Sequence, residues 1–203
     1  MSKIKGIFSV ALLLLTLTAC SESDGNVDEY ADWQSRNEQY FERQYQAHGA
    51  SAIIPKWSLP DATTAAHTDC ILVDVIESGS GTESPLYNDS LVIHYAGRLI
   101  PSDSYPQGYP FDKSYQGAEL DLEVDAPVKL ASYSSSGTVS SYRYPLPSDF
   151  VTGFTTALLH MHRGDHWRVT IPYQLGYGTT EKTGIPTYST LIFDVWLVDF
   201  WSK

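Results

Sequence analysis

From Asp69 onward apolar and polar residues alternate with a period of two. Ile71, Val73 and Val75 oppose Cys70, Leu72 and Asp74. In "NDSLVIHYAGRLI", Leu91, Ile93, Tyr95, Gly97 and Leu99 oppose Val92, His94, Ala96 and Arg98. This alternation predicts half-buried antiparallel strands, and "ESGSG" at 77–81 predicts a turn between them. Trp167, Val169 and Ile171 repeat the pattern against His166, Arg168 and Thr170, as do Leu191, Phe193, Val195 and Leu197 in the last strand. Between these strands Phe150, Phe154, Leu158 and Met161 recur at i, i+4, i+8 and i+11, one apolar helix face, and Gly164 stands where a C-terminal glycine belongs. A helix laid across an antiparallel sheet is an α+β layer arrangement.

The first third of the chain reads differently. Asp28 to Ala47, "DEYADWQSRNEQYFERQYQA", lacks Gly and Pro and carries acids at its start, which predicts a helix. Tyr30, Trp33, Tyr40, Phe41 and Tyr45 share one broad face with Asn37. Such a face packs on its own domain; the alternative is a homo-oligomer formed through this helix, or a grip on client polypeptides. Residues 48–69, with Gly49, Pro55 and Pro60, read as an extended linker.

The N-terminus "MSKIKGIFSVALLLLTLTAC" pairs a basic Lys3/Lys5 region with an apolar stretch, Ile7 to Leu17, that is short for a membrane span. Leu17-Thr18-Ala19-Cys20 resembles the bacterial lipobox, in which cleavage before the cysteine leaves it to carry acyl chains. The organisation expected is therefore a signal peptide at 1–19, a lipidated tether with helix and linker at 20–68, and the sheet domain at 69–203. Several acyl chains, each buried CH₂ adding about 0.8 kcal/mol, anchor more firmly than one. The acidic "SESDG" after Cys20 resembles an export tag to the outer face, and reads equally as a flexible tether. Localisation at a bacterial envelope follows, most simply at the outer membrane, facing either the periplasm or the surface.

Charge narrows the partners. The net charge of −11 falls further once Lys3 and Lys5 leave with the signal peptide, so nucleic acid, which is held by Lys and Arg, is excluded as a partner. With Cys20 lipidated, Cys70 has no intramolecular partner and no disulfide framework is expected.

"LVIHYAGRL" at 91–99 resembles the hallmark strand V-x-V-H-Y-T-G-x-L of the FKBP-type peptidyl-prolyl cis–trans isomerases. Phe111-Asp112-Lys113-Ser114 is similar to the F-D-S-S element of that family, and Phe150-Val151-Thr152-Gly153-Phe154 to its V-I-x-G-W helix start. Leu158, Met161, Gly164 and Trp167 follow L-x-x-M-x-x-G-x-x-W/R. Ile171-Pro172, Leu175-Gly176-Tyr177-Gly178 and the stretch Ile185 to Leu197 complete the order, over about residues 69–198. The resemblance implies an antiparallel sheet half-wrapped around a short helix.

It also implies an activity. Amide rotation faces a barrier of about 18–20 kcal/mol, and X–Pro bonds isomerise over tens of seconds or longer. No covalent bond breaks, so no nucleophile, metal or cofactor is required. A dry aromatic pocket with a few placed donors favours the twisted amide. By resemblance the wall would be Tyr95, Phe111, Phe150, Val151, Phe154, Ile185 and Phe193, with Phe154 on the floor where the family usually has Trp. The Val151 N–H and Tyr177 hydroxyl would donate to substrate carbonyls. Asp112 would orient and stabilise the twisting carbonyl rather than act as a base. The partners implied are proline-containing polypeptides.

Thirty-five residues, 115–149, separate "FDKS" from the helix start, more than the family uses. "RYPLP" at 143–147 resembles the short strand before the helix, so Tyr144 would replace an aromatic pocket residue. Residues 116–142 would then be an insertion, either a surface elaboration or a cover for the pocket. His160 and His162, two apart, diverge on a helix, and no carboxylate or Cys at ligand spacing joins them with His166, so no metal site is expected. The alternatives to an isomerase are a non-catalytic peptide-binding or chaperone module on the same fold, and a structural accessory lipoprotein.

Overall fold

The computed structural model describes residues 28–202. The expected signal peptide, the expected tether and Cys20 lie outside the described residues. Two helices and eight strands make up the regular structure of this part. Helix α1 spans Trp33–Ala47 and α2 Thr152–Leu158. The strands are β1 Ile53–Pro55, β2 Cys70–Glu77, β3 Ser90–Arg98, β4 Pro110–Lys113, β5 Leu130–Tyr133, β6 Val139–Arg143, β7 His166–Ile171 and β8 Leu191–Trp201. Six of them form one antiparallel sheet in the order β1-β2-β7-β8-β3-β4, and β5–β6 is a separate hairpin.

The register explains the alternation in the sequence. Val73 pairs with Val169, Val169 with Phe193 and Phe193 with Gly97, so one row of inward residues crosses four strands. Paired positions share a face. Helix α2 closes that face: Gly153 through Leu158 are all buried, and Phe154, Ala157 and Leu158 form the core with Ile71, Leu91, Ile93, Val169, Ile171, Val195 and Leu197. Helix α2 ends at Leu158, which leaves Gly164 outside it. Gly164 instead occupies a left-handed position, φ 88°, in the turn into β7, where its N–H donates to the Leu197 carbonyl. The buried Asp165 carboxylate organises that turn by accepting from the backbone N–H groups of His162 and Gly79.

The other face of the sheet is covered by α1. The Trp33 indole donates to Ser189 Oγ at 2.9 Å, and buried Asn37 accepts from the Thr190 N–H at 2.7 Å. Asn37 also donates to the Trp33 carbonyl, which satisfies both ends of its amide. An amide thus belongs in an aromatic stripe because an otherwise unpaired backbone donor faces it. Tyr40 lies half-buried near Arg98, Arg168 and Asp74, and burial raises its phenol pKa. The helix starts at Trp33 with Asp32 at φ 51°, so the acids of its sequence precede it rather than fill its first turn, and Tyr30 is exposed.

Residues 48–69 are not the extended linker expected: they form three short 3-10 turns, Ala50–Ala52, Ala62–Thr64 and His67–Asp69, and contribute β1. Ile53, Ile54 and Pro55 pair with Leu72, Ile71 and Cys70. That flanking strand accompanies the continuous burial of Cys70 to Val73; from Asp74 onward β2 is exposed. Cys70 is a free buried thiol whose pKa burial raises.

Candidate active site

The inner face of the sheet leaves a cavity of about 690 Å³ beside α2. Tyr95, Phe111, Asp112, Phe150, Val151, Phe154, Tyr177, Ile185 and Phe193 line it, joined by Asp149, Lys182 and Thr183. The aromatic rings meet edge to face. Phe193 stands centrally, 4.9 Å from Phe154, 5.5 Å from Phe111 and 6.0 Å from Tyr95 between centroids, each pair close to perpendicular. Phe154 is buried beneath them as the floor, with Phe150 tilted against it at 4.7 Å. Edge-to-face contacts of this kind are favoured by the ring quadrupoles.

This packing depends on Gly97. A Cβ there would lie 2.5 Å and 2.6 Å from atoms of the Phe111 and Phe193 rings. The glycine of "HYAGRL" is what allows β4 to bring Phe111 over Phe193.

Strand pairing also delivers the polar group. Gly97 pairs with Asp112. Beyond β4 the Ser114 N–H donates to the Tyr95 carbonyl while Ser114 Oγ accepts from the Tyr95 N–H, fixing the two strands at the pocket edge. The Tyr95 hydroxyl then donates to Asp112 Oδ2 at 2.6 Å, a charge-assisted bond. Burial first, and that bond second, hold the Tyr95 phenol well above its ordinary range. Tyr177 is raised too, by burial and then by the Asp112 charge. Both phenols are therefore neutral donors near neutral pH, not proton shuttles. The Val151 carbonyl accepts from the Thr155 N–H as α2 begins, and the Val151 N–H belongs to the group of helix-start donors without an intrahelical acceptor.

Tyr144 does not take the pocket position that the resemblance implied. Its ring packs against Trp201 at 5.0 Å with the Lys129 ammonium 3.0 Å from its centroid, and it does not line the cavity. The reason is where the chain returns to β3. The Leu91 N–H donates to the Pro145 carbonyl and the Val128 N–H to that of Ile93, so this segment meets the far end of β3 from the Tyr95 pocket. Residues 116–142 leave the sheet edge on either side of Val128 and include most of the β5–β6 hairpin. None of them lines the cavity. The hairpin is tied to the cavity rim instead, through the two 2.6 Å bonds from Arg143 to Asp149.

The histidines serve elsewhere. His94 is buried facing Ser114 Oγ at 3.3 Å, His160 contacts the Thr156 carbonyl, and His166 stacks on Trp196. Among the described residues no cluster of His, Cys, Asp and Glu could hold a metal ion. Sequence reasoning missed Asp149, Lys182 and Thr183; the signal for the last two was their place in the short loop between Tyr177 and Ile185.

Comparison with known proteins bears directly on this arrangement. Residues 81–198 match the model of the FKBP-type peptidyl-prolyl cis-trans isomerase domain, over half of the chain. The chain belongs to that family. It is 36% identical over 124 residues to the macrophage infectivity potentiator of Trypanosoma cruzi, a match covering 61% of this chain and 49% of that protein. It is 31% identical over 130 residues to the FKBP-type isomerase FkpA of Escherichia coli strain K12, covering 64% of this chain and 37% of FkpA. The chain thus spans half or less of the length of these relatives. The crystal structure of E. coli FkpA superposes with a TM-score of 0.53 at 26% identity, over 84% of this chain and 60% of that one. A peptidyl-prolyl isomerase from Pseudomonas syringae shares the fold at a TM-score of 0.51 and 18% identity, over 83% and 96%.

Proposed function

We propose that this FKBP-family chain is a peptidyl-prolyl cis–trans isomerase that assists exported polypeptides at a bacterial envelope, tethered through lipidated Cys20. The observation that carries the activity is the aromatic cavity whose edge holds the Tyr95–Asp112 hydrogen bond. A proline ring seats on Phe154 between Phe111, Phe193 and Ile185. There its amide leaves water, which weakens solvation of the planar, charge-separated form relative to the twisted one. The Val151 N–H and Tyr177 hydroxyl donate to substrate carbonyls, and Asp112 faces the carbonyl as it rotates. No proton changes owner, which suits phenols held neutral by burial and neighbouring charge.

The envelope location rests on Leu17-Thr18-Ala19-Cys20 and on the family's presence among FkpA- and Mip-type proteins. Among the described residues no helix is long and apolar enough to cross a membrane.

A second reading, peptide holding without catalysis, is favoured by the β5–β6 hairpin, which exposes Tyr133 and Tyr142 beyond the cavity. The two separate in a prolyl-peptide isomerisation assay on the purified chain. Catalysis above background, slowed at least about tenfold by Asp112→Ala and several-fold by Tyr177→Phe, supports the isomerase, since lost charge stabilisation of this kind costs more than about 1.4 kcal/mol. Binding without acceleration for several residues preceding proline refutes it. Unchanged rates in both variants refute the residue roles.

A further inference from the structure

The cavity has a charged rim, and its charges are unequal in their commitments. Of the lining residues, Asp112 and Asp149 are acidic and Lys182 basic. The Asp149 carboxylate is matched by the Arg143 guanidinium through two 2.6 Å bonds and also accepts from the Leu146 N–H. Asp112 accepts the Tyr95 hydroxyl. Lys182 is different: among the described residues no carboxylate lies within ion-pair distance of its ammonium, which sits 5.6 Å from the Tyr177 ring centroid.

Nor is Lys182 on a loose loop. Its N–H donates to the Ile185 carbonyl at 3.0 Å and its carbonyl accepts from the Ile185 N–H at 2.9 Å, closing a tight turn with Gly184 at φ 74°. The turn sets the lysine stem at a fixed distance from Ile185, a wall of the cavity. A peptide with its proline ring against Ile185 therefore places its neighbouring side chain within reach of a cation.

We infer that Lys182 sets substrate preference, favouring proline peptides with an acidic residue beside the proline over those with a basic one. This inference rests on the isomerase reading of the cavity and deepens it. Lys182 is solvent-exposed, so the discrimination is modest and salt-sensitive. Asp112 opposes it in sign, but the Tyr95 hydroxyl occupies one side of that carboxylate.

The test measures kcat/KM by NMR exchange, without a coupling protease, on short peptides with Glu, Gln or Lys before or after proline. At low ionic strength the Glu peptide is expected to exceed the Lys peptide by about two- to fivefold on at least one side of the proline, as an exposed ion pair allows. The ratio falls toward one in high salt. Lys182→Gln should flatten it, and Lys182→Glu invert it. A wild-type ratio of one at low salt, or an unchanged ratio in Lys182→Gln, overturns the inference while leaving the isomerase reading intact. If no peptide is turned over, that reading fails, and the same peptides titrated by amide chemical shift decide the matter. A Glu-over-Lys affinity lost in Lys182→Gln still supports the rim cation, whereas equal affinities or no binding overturn it.

Discussion

Gly97→Ala tests the pocket architecture with a single methyl group. The new Cβ would lie 2.5–2.6 Å from ring atoms of Phe111 and Phe193. Unstrained carbon–carbon contacts are about 3.5–4.0 Å, so the rings must together retreat by about 1 Å. Neither can move alone, because Phe193 also bears on Phe154 and Tyr95, and Phe111 is carried by β4, which pairs with β3 at Gly97 itself. Overpacking of this size costs about 1–3 kcal/mol. For a folded unit of this size each kcal/mol lowers Tm by about 2–4 °C, giving a fall of about 2–12 °C. Because both displaced rings line the cavity, kcat/KM toward a prolyl peptide should fall by more than the population of folded protein does; a misplacement of about 1 Å can cost on the order of a hundredfold. Calorimetry and the isomerisation assay, run on the same preparation below Tm, separate the two effects. Unchanged Tm together with unchanged kcat/KM would show that the sheet yields at Gly97 without disturbing the rings, and the packing argument would be wrong.

Two further perturbations probe the other layers. Asn37→Ala removes the acceptor of the buried Thr190 N–H and should cost about 1–3 kcal/mol in a urea melt, with Asn37→Asp recovering part of the loss; an unchanged midpoint would detach α1 from the sheet. The pKa of Tyr95 is higher in the folded protein than in the unfolded chain, so its contribution is fully present below about pH 10 and is lost as pH climbs toward the folded value. Tyr177 acts in the same direction. Stability should therefore decline above about pH 10, and Tyr95→Phe should make that decline shallower in urea midpoints taken from pH 8 to 11; equal slopes would mean the phenol is not held neutral by its site.

What could be read from the chain alone follows from the range of each signal. The period-two rows of β2, β3, β7 and β8 are local, and their register preserves them: Val73, Val169, Phe193 and Gly97 line up across strands far apart in sequence. The aromatic face of α1 was equally plain, but a periodic stripe says which side is buried and not by what. Only the long-range bonds of Asn37 to Thr190 and Trp33 to Ser189 identify the partner. Tyr144 failed for the same reason in reverse. The resemblance of "RYPLP" to the family's short strand before the helix suggested a place in the pocket, whereas the location of Tyr144 is set by which residue of β3 the chain rejoins, Leu91 rather than Tyr95. Gly164 shows a third limit, since a positive-φ glycine serves an isolated turn as well as a helix end. Strand β1, three residues long, is too short for periodicity to detect at all.

The outer layer and the pocket meet at one short stretch of chain. Ser189 and Thr190 are held from outside by Trp33 and Asn37, and three residues beyond Thr190 strand β8, which begins at Leu191, presents Phe193 to the cavity from inside. Just before them, Ser189 Oγ donates to the Pro186 carbonyl, next to Ile185 and the turn that carries Lys182. Helix α1 thus fixes the start of the strand that supplies the central ring. Part of the aromatic face of α1 is thereby buried within one chain, at Trp33, Asn37 and Phe41, while Tyr30 stays exposed. Among the described residues, Tyr133 and Tyr142 of the β5–β6 hairpin are exposed aromatics outside the cavity. The inserted segment leaves the cavity lining untouched while Arg143 couples its base to Asp149 on the rim, so an added surface and a preserved pocket are compatible in this fold.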